Sequence, residues 1–542
     1  MSENDAHAAS PTRGLSAAGI VVGALGCVII TASSVYTALK MGALPWPSVF
    51  TSIMSLVLLR ALGRRSLVEA NVTQIIMSAG SMVAGGLAFT IPAIWMLGHA
   101  EAIGLPQMLL CALTGTFLGL AWTALMRHRL VEESGLEYPI GVACAETLKA
   151  SEAKGATGVK LAASMGVAAA YALVRDVLGL IPTLLFALPI PGVSFALYNS
   201  PMMLSVGFLV GGSAIAFWLG GALIANFGIV CGGTALGLYD VEFATALVSS
   251  LGMGLMMGSG LGVVARDVVP QAVRLVRDRS HGAPSSSAEP AAHPGLLALF
   301  VATAALLCCF ALGLGPLPSV VIVALSFVTT IMSAQSVGQT GIDPMEIFGL
   351  IVLVAVAAMG VSDQVRLIFV AAVVAIACGL GGDVMSDFKC GQILGGDPRQ
   401  MWVGQAIGSI IGAVVSVVVM AGMATAFGTD AFGPGKEFVS AQASVVATAI
   451  SGIPNIGAFI AGIVGGIALY CLGLPAMMVG LGVYLPLYLS LTAPIGALAK
   501  YVWDRRGGTE EDGIVIASGL LGGESIVGVV VALCSVVTGL FG

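Results

Sequence analysis

Continuous apolar runs of roughly 20 residues recur from one end of the chain to the other, among them 15–39, 72–98, 200–225, 401–427 and 513–540. In lipid every backbone N–H and C=O must be satisfied within the protein, so only helices and closed barrels can span it. A barrel would show alternating segments of about ten residues. These runs do not alternate, so the chain is predicted to be an all-α polytopic membrane protein with about 12–16 transmembrane helices. Charged residues make up only 9% of it, against about 25% in an ordinary soluble domain, which excludes a soluble enzyme. Four pieces, 138–150, 182–198, 226–240 and 440–451, are shorter. They are expected to be re-entrant halves, interfacial helices or parts of broken spans.

Other classes fall away on simple grounds. Net charge is −6 and the basic residues are scattered, so no nucleic-acid surface is expected. The run 15–39 exceeds a signal-peptide core and reads as a retained span. The ten cysteines form no Cys-x-x-Cys and lie in apolar runs, as small buried hydrophobes do. All five histidines fall in termini, loops or span ends, so no metal site is expected within the membrane. No Gly-x4-Gly-Lys-Ser/Thr loop is present, which argues against an ATP motor and leaves no cofactor implied.

A polar stretch, 265–294, carries Arg266, Arg274, Arg277 and Arg279 and then His281-Gly-Ala-Pro-Ser. It reads as a linker between an N-terminal membrane half, 1–264, and a C-terminal membrane half, 295–542. Three matches suggest that the halves are repeats. Pro45-x-Pro47-Ser48 recurs at Pro316-x-Pro318-Ser319, Asn71-x-x-Gln74 faces Asp343-x-x-Glu346, and Met202-Met203 recurs at Met477-Met478, with offsets of 271, 272 and 275. Repeated halves are a common transporter construction, with the substrate site where they meet. Arg60, Arg64, Arg65, Arg127 and Arg129 fit a cytoplasmic N-terminus, but Lys500, Arg505 and Arg506 conflict with a same-direction repeat.

Asp343-Pro344-Met345-Glu346 has the form of a helix start, with Asp as N-cap, Pro at N1 and Glu closing a capping box. Asp397-Pro398-Arg399-Gln400 repeats it, and Asn71-Val-Thr-Gln74 resembles it without Pro. Each either caps a helix or points a positive helix end into a cavity. Gly135-Leu-Glu137-Tyr138-Pro139 opens a short helix holding Glu146 and Lys149, either a surface ion pair or a broken helix lining a pathway. Glycines flank Asp383, Asp387 and Lys389, which predicts irregular backbone; charges there belong to a pathway or to a plain loop. Glu524 lies inside the final apolar run. It must pair, face the interior or stay protonated, so it either bonds a neighbouring helix or couples protons.

Several segments together resemble the oligopeptide transporter (OPT) family, closest to its yellow-stripe-like and bacterial branch. They are Glu69-Ala-Asn71-Val-Thr-Gln74, Gly135-Leu-Glu137-Tyr138-Pro139-x-Gly141, Asp383-x-Met-x-Asp387-Phe-Lys389-x-Gly391, Leu474-Pro475-x-Met477 and Ala517-Ser518-Gly519-Leu520-x-x-Gly523-Glu524. The resemblance implies a proton-coupled secondary transporter of the inner membrane, carrying small peptides or metal complexes of peptide-like chelators, and not an enzyme. Its partners would be that substrate, protons and the lipid bilayer, with homo-oligomerisation open. A channel or membrane assembly subunit is the alternative. The branch usually has a small or hydroxyl residue where Glu137 stands, and often Asp where Glu524 stands. Asp383, Asp387, Lys389 and Glu524 carry over as pathway candidates; Asn71, Gln74, Glu137, Tyr138, Asp343 and Asp397 join them from the residue reading.

Overall fold

The computed structural model describes residues 14–42, 44, 47–151, 157–263, 265–266, 291–340, 343–451 and 455–541. Pro45 and most of the central linker, 267–290, lie outside them, as does the Glu146 side chain. Helices and their connections make up the described chain apart from an isolated bridge between Phe432 and Phe438 and one β-hairpin, Leu184–Ile190 paired antiparallel with Val193–Tyr198. Its turn is Pro191-Gly192, with Gly192 at φ 74°, a sign of φ that glycine adopts without cost. The piece 182–198 is therefore a hairpin and not a helix fragment. Among the described residues nine helices are long and apolar enough to cross a membrane, and shorter apolar helices lie between them.

The helices form two matching series. Ala17–Met41 and Pro316–Thr340 are both 25 residues long. Pro47–Ala61 and Met345–Ala358 follow them, then Leu67–Ala88 and Gln364–Ile393, capped by Ser66 and Asp363. Leu105–Arg127 corresponds to Pro398–Phe427, and the short Pro139–Ser151 to the short Ala441–Ser451. Thr157–Ala172 and Ile456–Cys471 are both 16 residues. The hairpin occurs in the first series alone. After it, Pro201–Val210 and Val241–Val263 match Ala476–Tyr484 and Glu510–Phe541.

The offset is 299 between the helix starts Ala17 and Pro316, and 275 between Pro201 and Ala476. The Met202/Met477 match falls on equivalent helices. The other two do not: Pro316 opens the counterpart of Ala17–Met41, and Asn71 and Asp343 lie on unlike elements. The hairpin lengthens the first series only, which shortens the later offset.

The halves interlock. Two residues that open the short helices, Tyr138 (φ 50°) and Ser440 (φ 44°), adopt left-handed backbone, which is uncommon outside glycine. Each directs its N–H at the end of a helix in the other half: Tyr138 donates to the Gly338 carbonyl and Ser440 to the Leu39 carbonyl, both at 2.9 Å. Val241–Val263 packs on Ile456–Cys471, and Glu510–Phe541 on Thr157–Ala172. These contacts need glycine, since a Cβ at Gly254 or Gly258 would run into the carbonyls of Phe459 and Ile463, the close helix approach that small residues permit in lipid. At the centre Leu67–Ala88 lies against Gln364–Ile393, and both are almost wholly buried.

Candidate functional site

Two buried carboxylate sites stand out, and their surroundings differ. The first lies where the central helices meet. Gln364–Ile393 runs unbroken for 30 residues through Gly381, Gly382, Asp383, Asp387, Lys389 and Gly391. The expected irregular backbone is absent. The glycines serve contact instead: a Cβ on Gly382 would strike Ser333 and approach Asp343, and one on Gly391 would strike Met401 and approach Asn71.

Asp387 is 1% exposed. Gln74 Nε2 donates to its Oδ1 at 2.7 Å, and the Ser78 hydroxyl donates to its Oδ2. Asn71 Nδ2 reaches the Asp387 carbonyl at 3.3 Å. Asn71 and Gln74 therefore act from inside Leu67–Ala88, whose cap is Ser66. They do not start a helix, as their spacing suggested, because the helix already begins at Leu67.

The Asp343 capping box does not form either. The helix begins at Met345, and Asp343 instead accepts from the Ser333 hydroxyl at 2.8 Å. Glu346 is buried in the first turn. Asp383, half-buried, lies within electrostatic reach of Asp343, Asp387 and Glu346. Among the described residues none of these four carboxylates forms an ion pair. Among the described residues several polar atoms nearby are buried without a hydrogen-bond partner: Asn71 Oδ1, Asp343 Oδ2 and the Tyr138 hydroxyl. Tyr138 is fully buried, and its ring faces Gly338.

Other candidates stand apart. Glu137 is exposed, next to the buried Tyr138. Lys389 is half-buried, with Nζ 3.4 Å from the Val131 carbonyl. Asp397 is a plain N-cap, accepting from Arg399 N–H at 2.9 Å and from Gln400 Nε2 at 3.1 Å. Among the described residues no three His, Cys, Asp or Glu side chains come together as metal ligands.

The second site is built around Glu524, 1% exposed. Arg175 Nη2 donates to Oε1 at 2.8 Å, the Ser200 hydroxyl lies 2.8 and 2.9 Å from the two oxygens, and Met202 N–H donates to Oε2 at 2.7 Å. Ser200 also caps Pro201–Val210, so the carboxylate sits at a helix N-terminus, where negative charge is favoured. Arg175 further binds Asp176 and the Asn199 carbonyl. This is a saturated ion pair joining three helices. Arg175 is a charged residue inside the apolar stretch 158–181, the same signal that singled out Glu524, and it was the partner the sequence reading lacked. Lys40, at the end of the first span, carries that signal too.

Comparison with known proteins places the chain in a family. The profile described as OPT oligopeptide transporter protein matches residues 15–265 and 290–535. The protein named "Putative oligopeptide transporter" from Haemophilus influenzae (strain ATCC 51907 / DSM 11121 / KW20 / Rd) is 25% identical, over 93% of each chain. "Probable metal-nicotianamine transporter YSL10" from Oryza sativa subsp. japonica is 31% identical over 28% of this chain and 26% of its own. With the match covering nearly the whole of a polytopic helical chain, the protein is an integral membrane member of the OPT family of transporters.

Proposed function

We propose that the chain is a proton-coupled secondary transporter that imports small oligopeptides or peptide-like metal-chelate complexes across the cytoplasmic membrane. One observation supports this above the rest: the four carboxylates Asp343, Glu346, Asp383 and Asp387 share the junction of the two halves and lack ion-pair partners among the described residues. Protonation of such a group removes a charge that no described cation pairs with. It therefore shifts the balance between two arrangements of the surrounding helices. The interlocked, matching halves suit alternating access around a central site. Asn71, Gln74, Tyr138 and Asp343 line the pathway in this reading, and Asp383 and Asp387 carry the coupling. Glu524, Asp397, Glu137 and Lys389 lie outside it. The substrate classes follow the printed names of the relatives.

The test is uptake into proteoliposomes under an imposed inward proton gradient. The substrates are a short-peptide pool and a series of Fe(III) chelates, and the proteins are wild type, Asp387→Asn and Glu524→Gln. Accumulation that requires the gradient and is lost in Asp387→Asn supports the proposal. Passive equilibration without accumulation would favour a channel, and gradient-independent accumulation would remove the proton.

A further inference from the structure

A groove of about 460 Å³ belongs to neither carboxylate site. It lies among Leu105–Arg127, Pro294–Leu306 and Pro316–Thr340, three helices that are each part of an apolar span. Its volume falls in the range of ligand sites, roughly 300–1,000 Å³. Trp122, Leu125, Ala305, Val320, Ala324 and Phe327 line it. Leu125, Val320 and Ala324 are exposed, so the groove opens on the surface that these spans turn to lipid. Trp122 Nε1 donates to the Ser326 hydroxyl at 3.0 Å, and the Phe327 ring packs across the indole at 5.0 Å. The one polar atom of that ring is thereby satisfied, and the groove meets its hydrocarbon part.

One end of the groove is charged. Ala291 N–H donates to the Ala124 carbonyl at 3.4 Å, which sets the foot of Pro294–Leu306 beside Leu125. One turn further on stands Arg129, half-buried, in the turn His128–Glu133 that continues the span. Leu125 and Arg129 follow Trp122 at helical spacing (i+3 and i+7), so the three share one face. The acids nearest to Arg129 in the chain are already taken. Glu132 pairs with Arg127 and His128, both at 2.6 Å, and Glu133 pairs with His128 at 3.2 Å. Among the described residues Arg129 has no partner of its own. Leu67–Ala88 crosses away from Arg60, Arg64 and Arg65, and Leu105–Arg127 crosses back, so Arg129 stands on the side that basic residues mark as cytoplasmic. That leaflet carries the anionic lipids, and basic pockets between spans on that side hold their headgroups. A free cation at the foot of an apolar groove suits an amphiphile with one anionic end; an apolar helix of a second copy would leave the cation unanswered. We infer that the groove seats an acyl chain of an anionic phospholipid of the cytoplasmic leaflet, and that Arg129 receives its phosphate.

The experiment is native mass spectrometry of the purified full chain, titrated with phosphatidylglycerol and with phosphatidylcholine of the same acyl composition. Wild type should bind the anionic lipid about five-fold more tightly, the worth of one basic residue near a membrane surface. Arg129→Gln should bring the two lipids within about two-fold of each other, and Arg129→Lys should keep the preference. Ala324→Phe fills the groove and leaves the charge in place, so it should weaken both lipids together. Equal affinity for the two lipids in wild type overturns the inference, as does a preference that survives in Arg129→Gln. Phosphatidylglycerol binding that is unaltered by Ala324→Phe also overturns it, since the lipid would then sit elsewhere. A change of oligomeric mass in that variant with unchanged lipid affinity would give the groove to a second copy instead. Should Arg129→Gln not assemble, Ala324→Phe decides alone.

Discussion

Glu524 and Asp387 are both carboxylates within apolar helices, both 1% exposed, and they are held in opposite ways. Glu524 has a guanidinium, a hydroxyl and a backbone N–H at a helix start. Asp387 has the Gln74 amide and the Ser78 and Ser48 hydroxyls but no cation, with Asp383 one helical turn away and orphaned polar atoms beside it. Removing two charges from water costs several kcal/mol per ion unless geometry and extra hydrogen bonds recover it. The first site meets that condition and so is a fixed staple. The second has hydrogen-bond donors but no cation among the described residues, which is the ground for the coupling role proposed for it. Burial alone therefore does not separate the two carboxylates; their partners do.

The comparison can be broken most directly at the staple. Arg175→Leu strands Glu524 as an unpaired buried charge and should cost about 3–5 kcal/mol, read by thermal unfolding in detergent. Adding Glu524→Leu should restore much of it. A single-mutant loss below about 1 kcal/mol would make the pair dispensable and erase the contrast. At the other site Asp387→Asn should cost only about 1–2 kcal/mol while gradient-driven uptake falls by about ten-fold or more. Glu524→Gln should keep uptake per folded molecule near wild type, and a reversal of the two phenotypes would exchange the roles.

Two smaller changes sharpen the picture. Ser200→Ala removes a cap and a donor to Glu524 and should lower stability by about 1 kcal/mol. Tyr138→Phe deletes a buried hydroxyl that has no partner among the described residues and should raise stability slightly, by less than about 1 kcal/mol. A loss of that size instead would reveal a partner for the hydroxyl.

The spans were legible because hydrophobic run length is a local property, and the family because its motif segments stand in order along the chain. So was the unusual placement of Glu524, since one acid in an apolar run is conspicuous. The partner was not legible: Arg175 lies 349 residues away, and only the folded packing of Thr157–Ala172 on Glu510–Phe541 joins them. Local patterns also misled. Asn71-x-x-Gln74 and Asp343-Pro344-x-Glu346 have capping chemistry, but a polar group buried among helices bonds whatever faces it, and Asp387 and Ser333 are what face them. The glycines around Asp383 read as a break when considered alone. Against Ser333, Asp343 and Asn71 they are the clearance that lets a continuous helix approach its neighbours.

The left-handed backbone at Tyr138 and Ser440 carries a consequence for how the chain can be divided. Each residue anchors a short helix on a distant part of the sequence, to Gly338 and Leu39. A cut through the central stretch would leave each fragment holding a hook whose eye lies on the other, so fragments 1–264 and 295–542 should rescue one another only when made together.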